Sequence, residues 1–320
     1  MSSSSSSHGE IAPKRARDQG AQTRAFLQYD VFTSEPLLGN QLAVFTDAEG
    51  LDAATMQRIA REMNFSESTF ILPVEWAGTD IRMRIFTPAS EMPMAGHPTI
   101  GSTFALAERG VIKPGTSRFI FHLNAGPTPV DLEWAGDRLV FAWMTQPNPR
   151  FGAVVDDRAA AAALIGLTAD DLLPGPPVQE VSCAVPFLYI PLRDAETVDR
   201  AISDAAAFRR FATSHGVNLP VFLFALDGGP PTTIYSRMFA PEFGIVEDPA
   251  TGIASGPLGS YLVHHGLVTP AAGRTLVSHQ GVAMGRASRV HISISVADGL
   301  ITDVRVGGEA VLVARGELLL

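Results

Sequence analysis

Three side chains stand where proton chemistry is possible. Glu67 lies in Ser66-Glu67-Ser68-Thr69-Phe70, with Phe65 and Phe70 on either side. A carboxyl group among aromatic rings titrates high, which is the property a general acid/base needs. His97 and Asp248 stand at the entrances of two segments rich in small residues. One runs from Gly96-His97-Pro98-Thr99 to Ala107, the other from Asp248-Pro249-Ala250-Thr251-Gly252-Ile253 to Val263. As helices, both segments present free N–H groups and partial positive charge at their N-termini, an anion site. Pro98 and Pro249 suit the first turn, and Gly96 and Gly252 let a ligand approach the backbone. The ligand class so implied is a small molecule bearing a carboxylate. Taken singly, Asp248 also reads as a helix N-cap and Glu67 as a strand-edge carboxylate facing water.

Other chemistries lack their residues. The single cysteine, Cys183, excludes an internal disulfide, a zinc cluster and a two-thiol site; within Val181 to Leu192 it reads as a buried strand residue. Gly252-Ile253-Ala254-Ser255-Gly256 carries its serine one place late for a nucleophile elbow. No Walker loop or Gly-x-Gly-x-x-Gly occurs. The eight histidines lack ligand spacing, and the adjacent His264 and His265 diverge on a helix, so no metal site is expected. A net charge of −9 argues against nucleic acid or an anionic membrane as partner. No apolar run approaches the ~18 residues of a spanning helix.

The chain is core-rich, with 46% hydrophobic and 18% charged residues, against about 25% charged in ordinary globular proteins. At 320 residues it has length for about two domains. Residues 1–23, with the run Ser2 to Ser7 and the basic Lys14-Arg15-Ala16-Arg17, read as a solvated leader. They lack a secretory apolar region, so a reducing cytoplasm is the expected compartment.

The elements that must position these groups follow from periodicity. Leu27 to Phe32 reads as a strand, then a Gly39-Asn40 turn, then a strand Leu42 to Phe45. Asp52 caps a helix with Met56, Ile59, Ala60 and Met63 on one face, and Asn64 is its left-handed stop. Thr69 to Leu72 and Ile81 to Phe86 are strands. Arg84-Ile85-Phe86-Thr87-Pro88 then recurs as Arg237-Met238-Phe239-Ala240-Pro241, an offset of 153 (237 minus 84). An apolar small-residue segment follows each copy, and Gly110 and Gly266 stop them at an offset of 156 (266 minus 110). That period exceeds the ~20–50 residues of a solenoid unit and reads as duplication of a whole lobe. Helices apolar on every side must be buried all round, so each lobe is expected to be a curved sheet around a central helix. Pro257 predicts a late start or a kink in the second of these helices.

Gly39-Asn40-Gln41-Leu42-Ala43-Val44, Met63 to Phe70, Ile85-Phe86-Thr87-Pro88, Glu91 to Gly101 and Glu247 to Gly252 together resemble the phenazine-biosynthesis PhzF-like isomerases. The resemblance runs from about Phe26 to the C-terminus. It implies an α+β, diaminopimelate-epimerase-like fold: two similar lobes, each a mostly antiparallel curved sheet round a helix, with the site between them. Residues 24–144 with 303–320 would form the first lobe and 145–302 the second, the strands around Ala310 to Leu318 returning to the first. It further implies a homodimer and catalysis without metal or cofactor. Glu67 would shuttle a proton on a cyclohexadiene amino acid, dihydro-3-hydroxyanthranilate, while His97 and Asp248 assist and orient it. Ser66, Gly96, Thr251, Gly252 and Ile253 are the expected substrate contacts.

The cysteine pair of diaminopimelate epimerases and proline racemases is replaced here by Gly96-His97 and Asp248, which excludes two-thiol racemisation. The family pattern Asp-Pro-Ala-Thr-Gly-Ser also ends here in Ile253, which removes a hydroxyl donor. The leading expectation is a cofactor-free isomerase of a small cyclic carboxylate or amino acid. A silent carboxylate-binding protein that kept the fold is the alternative, and an oxidoreductase or hydrolase lacks its motifs.

Overall fold

The computed structural model describes residues 23–227, 233–269 and 275–320. The leader expectation falls on residues outside these, except that Thr23 already pairs with Leu319 in a strand. The first half runs β1 (Thr23–Val31), β2 (Asn40–Phe45), α1 (Ala53–Met63), β3 (Glu67–Leu72), β4 (Ile81–Phe86), β5 (Glu91–Met92), α2 (Gly96–Glu108), β6 (Arg118–Leu123), β7 (Gly126–Ala135) and β8 (Arg138–Gln146). The second runs β9 (Arg150–Val155), α3 (Arg158–Leu164), β10 (Val178–Ser182), β11 (Pro186–Pro191), α4 (Ala195–Arg200), α5 (Ala205–His215), β12 (Val221–Asp227), β13 (Thr233–Ala240), β14 (Ile245–Asp248) and α6 (Gly252–His264). It closes with β15 (Leu276–Gln280), β16 (Ser288–Ala297), β17 (Leu300–Gly308) and β18 (Ala310–Leu319).

The halves repeat one topology. β2 and β3 are parallel with α1 as crossover, and β11 and β12 are parallel with α4 and α5 between them. β4 and β6 are parallel across α2, as β13 and β15 are across α6. β18 pairs with β1 and β9 with β10, while β8 pairs antiparallel with β17 and joins the two series. The lobe boundaries placed at 144 and 303 fall inside β8 and β17, the two strands that pair with each other. The repeat extends to ion pairs: Arg84 holds Glu91 at 2.6 Å and Arg237 holds Glu247 at 2.8 Å.

Each half wraps its apolar helix. α2 is buried from Gly96 to Leu106 and α6 from Gly252 to Leu262. A Cβ on Gly101 would lie 2.6 Å from the Leu42 side chain, and one on Gly259 2.5 Å from that of Ile292. The small residues therefore set how closely the sheets approach. α1 instead packs on the outer face, over stacked Phe45 and Phe70; Asp52 Oδ1 caps it through Thr55 N at 2.7 Å and Asn64 ends it at φ 52°.

Four local expectations need correction. The first strand ends at Val31, because Phe32 turns to φ 64°. Cys183 is buried but follows β10 in a bend. Pro249 precedes α6, whose N-cap is Thr251, so it is not a first-turn proline. α6 neither starts late nor breaks at Pro257. Pro257 removes the intrahelical donor of the Ile253 carbonyl, while the flanking carbonyls of Gly252 and Ala254 accept from Gln146 Nε2 and Tyr189 Oη.

Candidate active site

The N-termini of α2 and α6 meet. A Cβ on Gly96 would lie 2.5 Å from Ile253 N and 2.6 Å from Gly252 Cα. Backbone against backbone, not ligand approach, is thus what requires glycine at 96, and Gly252 reciprocates with Gly96 Cα at 3.1 Å. The four outer helices are N-capped by Asp52, Asp157, Asp194 and Asp204. α2 and α6 have no side-chain cap, so their leading N–H groups are available to an anion.

Asp248 ends β14 beside this junction. Its Oδ1 accepts from Asn40 Nδ2 (2.8 Å) and Ser66 Oγ (3.0 Å), and its Oδ2 from Thr251 Oγ1 (2.6 Å). Gln280 Nε2 donates to the Asp248 carbonyl and to Thr251 Oγ1, while its Oε1 accepts from Thr251 N. Asp248 is therefore not the N-cap of α6. Burial pushes its carboxyl up to about 6, against the hydrogen bonds from Thr251, Ser66 and Asn40.

Glu67 opens β3. Strand alternation puts it on the face opposite Phe70, which packs under α1 with Phe65, so those rings do not surround the carboxyl as the sequence suggested. Its pKa is nonetheless held well above the usual range, first by burial and then by the nearby charge of Asp248. Glu67 Oε2 lies 3.3 Å from His97 Nε2. Burial lowers His97 to about 3, so burial favours the uncharged form of both partners in this contact.

Asn40 Nδ2 donates to Asp248 Oδ1 and to the Ala250 carbonyl (2.9 Å) and lies 3.2 Å from His97 Nδ1, so it ties all three groups together. A backbone hydrogen bond at Gln41 partly offsets the effect of burial on His97, whose Nε2 faces Glu67. Asn40 is itself held by a turn in which Gly39 adopts φ 68° and Arg286 reaches across the halves. The Arg286 guanidinium donates to the Gly39 and Leu38 carbonyls and to Asp30 Oδ1 (2.6 Å).

These groups face a cavity of about 750 Å³ between the halves. Glu67, His97, Asp248, Gly96, Thr251, Gly252 and Ile253 line it. Ser66 is absent from that lining: its hydroxyl is turned to Asp248. Sequence reasoning missed Asn40 and Gln280 as site residues. Asn40 was read as a turn residue and as part of the Gly39 to Val44 motif, without a role in the site, and Gln280 had no local signal. Among the described residues no three His, Cys, Asp or Glu side chains converge as metal ligands, and no helix is long and apolar enough to cross a membrane.

A family model for phenazine biosynthesis-like (PhzC-PhzF) proteins matches residues 29–316. The chain belongs to that family. An uncharacterized isomerase of Mesorhizobium japonicum is 36% identical over 93% of this chain and 100% of its own length. The trans-2,3-dihydro-3-hydroxyanthranilate isomerase of Pseudomonas aeruginosa is 35% identical over 92% of this chain and 99% of its own. Among solved structures, a PhzF-family protein of Bacillus anthracis superposes with a TM-score of 0.80 at 28% identity, covering 93% of this chain and all of that one. A hydroxyproline epimerase of Agrobacterium vitis shares the fold alone, with a TM-score of 0.63 at 12% identity over 93% of each chain. The expected α+β fold and membership of an isomerase family are thereby met.

Proposed function

We propose that the protein isomerises a small cyclic carboxylate or amino acid by moving a proton with side chains alone, Glu67 being the carrier. The carrying observation is the buried Glu67 carboxyl 3.3 Å from His97 Nε2, at the cavity where two uncapped helices converge. The N–H groups at Gly96–His97 and Gly252–Ile253 bind the substrate carboxylate. Glu67, held towards its acid form by burial, adds its proton to one end of a ring double bond, and the freed carboxylate takes a proton from the carbon at the far end of that three-carbon unit, so the double bond moves one place and Glu67 ends protonated as it began. His97 Nε2 stays uncharged and orients the Glu67 carboxyl. Asp248 and Asn40 keep His97 and the α6 entrance in place. Homology to dihydro-3-hydroxyanthranilate isomerases makes that acid the first compound to test. The same reading carries a homodimer in the cytoplasm.

The test is deuterium incorporation from heavy water into dihydro-3-hydroxyanthranilate and simpler cyclohexene carboxylates. Glu67→Gln is expected to reduce exchange by about 10²–10⁴-fold; undiminished exchange in that variant removes Glu67 from the mechanism. Ile253 supports a second reading, binding without turnover, because a branched apolar side chain lines the cavity where the family pattern has a hydroxyl. Binding with no exchange of any cyclic acid, and gain of exchange in Ile253→Ser, would favour it.

A further inference from the structure

The part of the cavity away from Glu67 is built for something the proposed chemistry does not need. A one-ring acid has about ten non-hydrogen atoms; at no more than the ~30 Å³ that a water takes in the liquid, it fills at most about 300 Å³. The cavity is about 750 Å³, so more than half remains. That remainder is walled by Met92 from the first half and by Val185, Phe187, Leu219, Phe243 and Ile245 from the second. Ile245 begins the strand that Asp248 ends, so the apolar wall extends roughly 10 Å from the proton-transfer groups. Phe243, 49% exposed, places an aromatic ring at the mouth.

Charge narrows the ligand further. Among the described residues no lysine or arginine lines the cavity. Its ionisable side chains besides His97 are Glu67, Asp248 and Glu242, and Arg209 already pairs Glu242 at 3.3 Å. One anionic group can be met by the converging helix N-termini; a second would find no cation. We infer that the substrate is a monocarboxylate whose ring carries a bulky apolar substituent, an alkyl chain or a second ring, seated against the Met92–Phe187–Leu219–Phe243 wall. This rests on the reading of the cavity as the isomerase site and names the class of acid it takes.

The test is calorimetric titration with cyclohex-1-enecarboxylate and its 4-methyl, 4-propyl, 4-phenyl and 4-carboxy derivatives, with heavy-water exchange followed on the same compounds. Each methylene seated on the wall is expected to lower Kd about fourfold, so propyl gains about 60-fold over the bare ring. Phe243→Ala and Leu219→Ser are expected to weaken the phenyl acid at least tenfold more than the bare ring. A Kd that does not fall with the tail, a gain that survives both substitutions, or tighter binding of the dicarboxylate overturns the inference. Tail-dependent binding with no exchange in any acid sinks the proton-transfer reading and leaves the class of acid standing for a ligand that is bound and not turned over. Exchange confined to the bare ring, without a tail effect, does the reverse.

Discussion

Replacing Asn40 with alanine should destabilise the protein more at pH 8 than at pH 5. Its Nδ2 supplies one hydrogen bond to the buried Asp248 carboxyl and one to the Ala250 carbonyl. Burial raises Asp248 from 3.8 to about 6 in the folded protein, so its contribution is whole below 3.8 and is lost as the pH rises through about 6. At pH 5 the native carboxyl is mostly protonated, and the substitution costs chiefly the orphaned Ala250 carbonyl, about 1–3 kcal/mol. At pH 8 the carboxylate is ionised and loses a donor too. Hydrogen bonds to charged groups contribute about 1.5–3 kcal/mol, equivalent to one or two pKa units at about 1.4 kcal/mol each. The Asp248 titration then moves above 6, and the gap between wild type and variant widens by roughly 2 kcal/mol between the two pH values. Urea unfolding followed by circular dichroism at pH 5 and pH 8 measures this directly. An equal loss at both refutes the argument that Asn40 supports a buried, ionising carboxylate.

Gly96→Ala drives a methyl group against the Ile253 and Gly252 backbone, which cannot swing aside as a side-chain tip would. A cost of about 1–3 kcal/mol is expected in thermal unfolding, and an unchanged Tm would show that the helices can separate. Arg286→Ala leaves the buried Asp30 carboxylate unpaired and releases the Gly39 turn. About 3–5 kcal/mol of stability should be lost, read in the urea midpoint, with Arg286→Lys recovering only part because lysine cannot span three acceptors.

The duplication was legible because it is written in local order. A strand motif, a small-residue helix and a glycine stop recur at nearly fixed spacing, and the paired Arg84–Glu91 and Arg237–Glu247 bridges follow it, at offsets of 153 (237 minus 84) and 156 (247 minus 91). The capped helix α1 was legible for the same reason, since Asp52 and Asn64 act on their own neighbours in the chain. Glu67 was singled out for the wrong environment. Phe70 faces the other way across the strand and Phe65, before it, packs in the same cluster under α1, while the group that raises the Glu67 pKa alongside burial, Asp248, lies 181 residues on (248 minus 67).

Residue order by itself marked the first strands, the capped helix α1 and the two central helices, the recurrence of one lobe pattern, and a histidine and an aspartate at the helix entrances instead of thiols. Only the folded arrangement decided that Gly96 and Gly252 lie backbone against backbone, that Ser66 turns to Asp248, and that Asn40 ties Asp248, Ala250 and His97 together. Periodicity and capping are short-range, so the chain displays them locally. Hydrogen-bond partners and desolvation depend on which distant surfaces the closed sheets bring together, and no local pattern carries that.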